Sequence, residues 1–516
     1  MTTSKMGLAV IMALCAGSLA RAQQPLTLAD ATARALARNT DIRIEREAVS
    51  AAEAREAGAF GSYDFRLKVD ASGRHHRDPI TTLFSGAPPG EVSPSNNDVS
   101  SSVSLSRLFL SGATASASAN VGRDASDSLF TLITPAFVTS LGVQVRQPLF
   151  RNRETDQART ALTITKLDRE KSHAVLEQQV QDVVSSVERA YWALVAARRE
   201  VEVRQNSITL AEQQRTDTQS RIDARSAAAL DIAQPTAEVE RRRGDLFAAQ
   251  ETAARAERTL KLLMTDDPAD PIWTQTLTPA DRVDIEARPI DMPRALADAT
   301  THRPELTALA ADVSATEAQA ALAKDALRPQ VDLVASYTSR GLAGGRNPNT
   351  IAFPGVPLAF PDALSGSLGA SYNTLFNTRF QDASIGVSVD VPLGRRAARG
   401  DLGAAQAQQR QASLRLAQAR DRISMDVLNA ATALETARSR IQSARAGLDA
   451  ANTQLRAEQD RFSAGTSTNF LVLTRQTDLA LAQLAEISAL ADYRKALTDL
   501  ARATGMLLVD RGITVK

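Results

Sequence analysis

Apolar residues recur along this chain with two different periods. Val427, Leu434, Ile441, Leu448, Leu455 and Phe462 stand on a seven-residue spacing without a break. A seven-residue apolar repeat sustained this long predicts a helix that packs along one seam in a left-handed supercoil. It stops at the small-residue turn Phe462-Ser463-Ala464-Gly465-Thr466-Ser467, and periodicity resumes at Phe470 and runs past Leu500. The pattern predicts a helical hairpin. Its first arm, about 396–461, would be about 100 Å long at ~1.5 Å per residue.

The same unit occurs earlier. Val187, Leu194, Val201 and Ile208 match Val427, Leu434, Ile441 and Leu448 at one constant offset, and Arg221 matches Arg461 at the same offset. Ser50-x-x-Glu53-Ala54 recurs as Ser314-x-x-Glu317-Ala318, at a larger offset. Gln147-Pro148-Leu149 recurs as Val391-Pro392-Leu393, by which point the offset has fallen almost to that of the heptads. The chain is therefore a tandem duplication, and the fall in offset places about 20 extra residues between Ala59 and Pro148. The predicted first repeat is 23–264, with a helix at about 27–59, a segment of different character at about 60–150 and a hairpin turning near 221–231. The second is 291–506, with a helix at about 291–327, the differing segment at about 328–394 and a turn near 461–470. A proline-broken linker, 265–290, joins them, and 507–516 is a tail.

In the two differing segments the period drops to two. Phe65-Leu67-Val69-Ala71 alternates with Arg66, Lys68 and Asp70, and Leu141-Val143-Val145 alternates with Gly142, Gln144 and Arg146. Serines interleave apolar residues over 99–110 and alanines over 114–121, while Ile385-Val387-Val389-Val391 repeats the pattern in the second half. Alternation over eight to ten residues, joined by long turn-rich loops (74–97 and 339–379), is the signature of transmembrane β-strands. Phe353, Phe360, Tyr372, Phe376 and Phe380 would supply an aromatic girdle. The first half would hold two strands, or four where Ser111-Gly112 turns the chain once more. The bilayer tolerates no open sheet edge, and two or four strands per half cannot close a barrel within one chain, so other copies must complete it.

Composition adds the compartment. Lys5, the apolar run 6–19 and Ala20-Arg21-Ala22 read as a secretory leader, 1–22, that is cut after Ala22. The single cysteine, Cys15, lies inside it, so the mature chain would have neither disulfides nor thiol chemistry. Lys plus Arg total 60 against 59 Asp plus Glu, a balance that argues against nucleic acid as a partner. No nucleophile elbow, zinc-protease helix or phosphate-binding loop occurs. His75-His76 fall in a predicted surface loop, His173 and His302 on helix surfaces. The run Arg241-Arg242-Arg243 reads as a solvated face with an i,i+4 pair from Glu238 to Arg242. No catalytic residue, metal site or cofactor is predicted, and the chain does not read as an enzyme.

Leader, duplicated helix–strands–long helix–return helix, Pro-Leu at strand exits and the turn Arg461-Phe462-x-Ala464-Gly465-Thr466-Ser467 together resemble the TolC family of outer-membrane efflux proteins. The resemblance implies a mainly α fold: tandem-duplicated long α-helical hairpins forming a coiled-coil tunnel, plus a small β-barrel portion whose transmembrane strands are completed by trimerisation. It implies a passive homotrimeric duct in the outer membrane, its barrel in contact with lipid and its helical part in the periplasm. A periplasmic adaptor (a membrane fusion protein) coupled to an inner-membrane transporter would dock on the hairpin turns and open them. Arg461, Gly465, Thr466 and Ser467 match the family's turn in the second half; Arg221, Ser226, Leu230 and Asp231 match it in the first. Arg225 stands where glycine is expected, which predicts a turn of different shape. Leu471 and Thr474 replace the acidic residues that ring the mouth in some members, leaving Asp231. Trp273, after Pro271-Ile272, would be an equatorial anchor in the linker. The alternative is a periplasmic adaptor or coiled-coil scaffold without a pore.

Overall fold

The computed structural model describes residues 23–79, 86–281, 289–351 and 359–515. The expected leader, Phe353 and the linker stretch 282–288 lie outside the described residues. In chain order the elements are β1 (Gln23–Leu26), α1 (Leu28–Arg38), α2 (Thr40–Ala59), β2 (Arg66–Arg77), β3 (Ser95–Leu108), β4 (Thr114–Ser126), β5 (Ile133–Pro148), α3 (Gln157–Asp223) and α4 (Ala233–Met264). There follow β6 (Thr276–Pro279), α5 (Met292–His302), α6 (Pro304–Asp325), β7 (Gln330–Arg346), α7 (Leu368–Phe376), β8 (Phe380–Asp390), α8 (Arg396–Ser463), α9 (Asn469–Ala503) and α10 (Leu507–Asp510). The described residues fall into two compact units, one built from those within 23–48, 173–307 and 417–515, the other from those within 49–172 and 308–416.

The two helical hairpins, α3–α4 and α8–α9, have first arms of 67 and 68 residues, and all but the starts of those arms (157–172 and 396–416) belong to the first unit. Their seams are the predicted heptads: Val187 and Leu194 are fully buried, as are Val427 and Ile441. Leu434, Ala437 and Ile441 of α8 pack with Ala489, Tyr493 and Ala496 of α9 in one cluster. Small alanines between the larger residues let the arms run close over many turns.

Each predicted early helix is broken once, at equivalent places. Asn39 separates α1 from α2, and its counterpart in the second repeat, Arg303, separates α5 from α6. Asn39 Nδ2 donates to the Leu263 carbonyl (3.1 Å), and Arg303 Nη1 to the Ala503 carbonyl (3.2 Å). Leu263 and Ala503 are themselves related by the offset of the heptads. A different side chain thus does the same job in each half: it satisfies a carbonyl left open at the end of a return helix.

The three-arginine run is corrected at its centre. The Glu238–Arg242 pair forms at 2.8 Å, but Arg242 is buried and points into the second hairpin rather than into solvent. It donates to the Ser207 carbonyl (2.7 Å), to Gln476 Oε1 (3.1 Å) and to the Leu473 carbonyl (3.3 Å). Burial lowers its pKa, and Glu238 pulls it back up. A periodicity count cannot see this, because the α3–α4 hairpin is covered on a second face by α9.

The second unit holds one sheet of six antiparallel strands in the order β2-β3-β4-β5-β7-β8. The first half therefore supplies four strands and the second two, and the extra turn lies at 109–113, as the Ser111-Gly112 reading requires. The loops are shorter than expected, since β2 reaches Arg77, carrying His75 and His76, and β7 reaches Arg346. Helix α7 lies against β5 and β7 near their loop ends. Gly341 makes this approach possible: a Cβ there would meet the Ser371 carbonyl at 2.1 Å. Ser339 Oγ donates to the Leu375 carbonyl (2.8 Å), and Thr139 Oγ1 shares a hydrogen bond with Ser371 Oγ (2.9 Å).

Arg242→Ala should destabilise the protein by about 3–5 kcal/mol, because it leaves the buried acceptors on Ser207, Leu473 and Gln476 without their donor and opens a cavity between the hairpins. Chemical denaturation followed by circular dichroism measures this, and Arg241→Ala, at the exposed neighbour, should cost less than about 1 kcal/mol.

Candidate functional site

Among the described residues no group of His, Cys, Asp and Glu is placed to hold a metal. The features with functional geometry are the two hairpin tips, the linker hub and the two faces of the sheet.

Both tips end their long helix in a Schellman motif, in which a left-handed residue lets two amides fold back on the last turn. In the second tip, Thr466 N–H donates to the Arg461 carbonyl (2.9 Å) and Gly465 N–H to the Phe462 carbonyl (3.1 Å). In the first, Ser226 N–H donates to the Arg221 carbonyl (2.8 Å) and Arg225 N–H to the Ile222 carbonyl (2.9 Å). The hydroxyls of Ser226 and Thr466 each add a bond to the same carbonyl. Arg225 has φ 56° and Gly465 φ 78°. The expectation that Arg225 would change the turn's shape is therefore corrected. The motif's paired hydrogen bonds hold a non-glycine residue in the left-handed region at a cost of about 1–2 kcal/mol.

Arg221 ties the tips together. Its Nη2 donates to the Phe462 carbonyl (3.0 Å), and its guanidinium sits 3.9 Å over the Phe462 ring. Asn469 Nδ2 donates to the buried Thr218 hydroxyl (3.1 Å), a second tie. Ser467 hydrogen-bonds the buried Glu458 carboxylate, which also lies 3.9 Å from Arg461. Asp231 accepts the Ala228 N–H (3.0 Å) and so caps the turn before α4, with its carboxylate still at the surface. What the tips offer outward is Arg225, Ser226, Leu230 and Asp231 on one, and Arg461, Gly465 and Thr466 on the other.

Sequence reasoning missed one member of this surface. Leu230 is 82% exposed, and Phe470, its counterpart by the offset of the heptads, is 59% exposed. Two equivalent bulky apolar groups therefore stand in water, one on each tip. The offset that relates the halves was the available signal.

The linker is held by Asp270 rather than by Trp273. Trp273 is only partly buried, its indole N–H bonded to the Asp267 carbonyl (3.1 Å), while Ile272 beside it is in the core. Asp270 is buried and accepts from the Ile272 N–H (2.9 Å), Arg34 (2.7 Å), Arg38 (2.8 Å) and Thr265 Oγ1 (3.0 Å). The Ile272 amide foremost, then Arg34 and Thr265, hold its pKa down at about 2. Beside it, β1 pairs in parallel with β6, two short strands that the sequence did not announce.

The sheet separates polar from apolar by face. The register puts Leu67, Val103, Val143, Tyr337 and Ile385 on one side, all exposed. The other side is a ladder of short hydroxyls: Ser72 bonds Ser100 (2.9 Å), Asn120 bonds Ser140 (2.9 Å) and Ser336 bonds Ser384 (2.8 Å). Six strands of exposed apolar side chains would aggregate in water, and a bilayer is the solvent that suits them. The stacked pair Tyr372–Phe376 of α7 (6.4 Å) stands at the loop end of the sheet, where an interfacial girdle is useful.

The sequence profile of the outer membrane efflux protein family matches residues 295–506. Outer membrane efflux protein BepC of Brucella suis biovar 1 (strain 1330) is 25% identical over 379 residues, covering 72% of this chain and 73% of that one. Over its second repeat this chain is thus similar to the outer membrane efflux protein family. The profile covers the second repeat, and the duplication extends the same architecture to the first. Among solved structures, the CmeC outer membrane channel of Campylobacter jejuni superposes with a TM-score of 0.65 at 15% identity, over 93% of this chain and 86% of that one. The open state of the MtrE outer membrane channel of Neisseria gonorrhoeae gives 0.60 at 18% identity, over 93% and 89%. At these identities the likeness is one of fold, and it bears out the TolC-like architecture expected from the sequence. Members of this family are channels, not enzymes.

Arg225→Gly should raise stability by about 1 kcal/mol, because glycine occupies the left-handed region without the Cβ clash; thermal unfolding measures it. At Asp270 the folded pKa lies below the unfolded one. The ionised carboxylate therefore stabilises the protein at neutral pH, and that contribution is withdrawn as pH falls from about 4 toward 2. Asp270→Asn should lower the melting temperature at pH 7 and flatten its fall over this acidic window.

Proposed function

We propose that this protein is the outer-membrane duct of an efflux or type I secretion assembly, a passive homotrimer whose helical hairpins stand in the periplasm. The observation that carries the reading is a sheet with one apolar and one hydroxyl-lined face and two unpaired edges, on a chain whose remaining mass is paired long hairpins. An adaptor or scaffold without a pore has no use for such a sheet. Fractionation tests it directly: the mature protein should sediment with outer membranes and need detergent for extraction, and a soluble periplasmic product would sink the proposal.

The tips are the proposed docking surface for a periplasmic adaptor, itself coupled to an inner-membrane transporter. Arg461, Gly465, Thr466 and Ser467 with Arg221, Ser226, Leu230 and Asp231 form this surface, extended by Phe470. Support comes from the exposure of Leu230 and Phe470 at equivalent positions on neighbouring tips, an apolar pair that a partner's hairpin would bury. Trp273 is not retained as an anchor in this reading, since Asp270 and Ile272 hold the linker. Leu230→Glu with Phe470→Glu should abolish adaptor-dependent export while extraction and oligomer mass stay unchanged. Undiminished export by the double variant would remove the tips from the docking surface.

A further inference from the structure

The hairpin β3–β4 has no counterpart in the second half. By the repeat offsets β2 corresponds to β7 and β5 to β8, and β7 pairs with β8 directly. In the first half β3 and β4 stand between the equivalent strands and are hydrogen-bonded into the same sheet on both sides. They widen the wall; they do not decorate it. We propose that three copies close into a single barrel of 18 strands, six from each, in which β2 pairs antiparallel with β8 of the next copy, Arg66 beside Asp390 and Arg74 beside Asp382. This rests on the trimeric-duct reading and adds to it the width of the exit and the contact that closes it.

Three features of the sheet converge on this closure. With six strands, each antiparallel to its neighbour, the free edges at β2 and β8 run in opposite directions, so a ring of copies closes through antiparallel pairing alone. The stagger fits as well. One cross-strand row runs from Arg66 through Ser106, Ser116, Gln144 and Ser336 to Ser384, six residues short of the end of β8 at Asp390. Aligning the ends of β2 and β8 therefore carries a stagger of six residues across six strands. With a rise of about 3.3 Å per residue and strands about 4.8 Å apart, this is a tilt of about 35°, as outer-membrane barrels require.

Side chains then match on both faces. On the apolar face, Leu67 meets Val389, Val69 meets Val387 and Ala71 meets Ile385. On the polar face, Arg66 meets Asp390 and Arg74 meets Asp382. Both edge strands are exposed along almost their whole length, and none of these four charged residues makes an ion pair with another described residue of its own chain.

The consequence is width. At this tilt 18 strands give a backbone diameter of about 34 Å, against about 23 Å for 12, the number that one hairpin per half would supply. The cross-section roughly doubles. Short side chains such as Ser102, Ser118 and Ser140 line it together with charges of both signs such as Lys68, Asp70, Asp98 and Asp124, so the exit is a polar, water-filled opening of porin width that suits large hydrophilic cargo.

The test uses the mature chain, whose sequence beyond Ala22 contains no cysteine. In outer membranes, Arg74→Cys combined with Asp382→Cys should oxidise to linked dimers and trimers and nothing larger, while Arg74→Cys with Asp390→Cys should stay unlinked. Arg74→Asp should lower the temperature at which the extracted trimer dissociates, and adding Asp382→Arg should raise it again. Electron microscopy of the extracted wild type should count 18 strands. A ladder that stops at two copies, a wall of 12 strands with β3–β4 outside it, or a trimer linked only through the control pair would each overturn the inference and leave the duct reading standing. A protein absent from the outer membrane would end both.

Discussion

An open sheet cannot live in hydrocarbon, and much else about this protein follows from that constraint. Every backbone N–H and C=O along the outer edges of β2 and β8 needs a partner, and no described residue of the same chain supplies one. The sheet must therefore meet another copy of itself. Its even strand number and its stagger suit a ring rather than an endless stack. The apolar face must then look outward to lipid and the serine face inward to water.

The helical unit obeys a related rule with different means. A hairpin with such long arms buries only a seam, so it needs neighbours on its flanks. Within the chain those neighbours come from the duplication, and the joints are polar: Arg242 reaches into the second hairpin, Arg221 lies over Phe462, and Asn469 holds Thr218. Such bonds add modest stability each, but they set register between smooth alanine-rich surfaces that would otherwise slide. The tips inherit their shape from backbone geometry, since the same Schellman hydrogen bonds form whether glycine or arginine occupies the left-handed position.

The duplication also shows how one architecture tolerates different residues at one task. Asn39 and Arg303 share no chemistry beyond a donor group, yet each satisfies the equivalent carbonyl. Glycine and arginine share less, yet each closes a tip. The halves differ most at the inserted β3–β4 hairpin, which widens the sheet, whereas the exposed Leu230 and Phe470 stand at equivalent places on the two tips.

The order of elements, the duplication and the hairpin turns were legible in the sequence, whereas the choice between two and four strands in the first half was decided by the strand pairing. Each is written in local spacing: heptads for arms, alternation for strands, small residues for turns. The family resemblance and the tip residues rested on those same spacings. What the sequence could not reveal depends on which surfaces meet across long separations. Arg242 looked like one more charge on a solvated face until the second hairpin covered it. Trp273 looked like the linker's anchor, but the buried carboxylate of Asp270, gathering donors from α1, from Thr265 just past α4 and from its own turn, holds it instead. β1 and β6 are too short to announce themselves, and they exist because they find each other from the start of the first repeat and from the linker that ends it. Periodicity reports which face of an element is apolar; only the tertiary structure decides how many faces are covered, and by what.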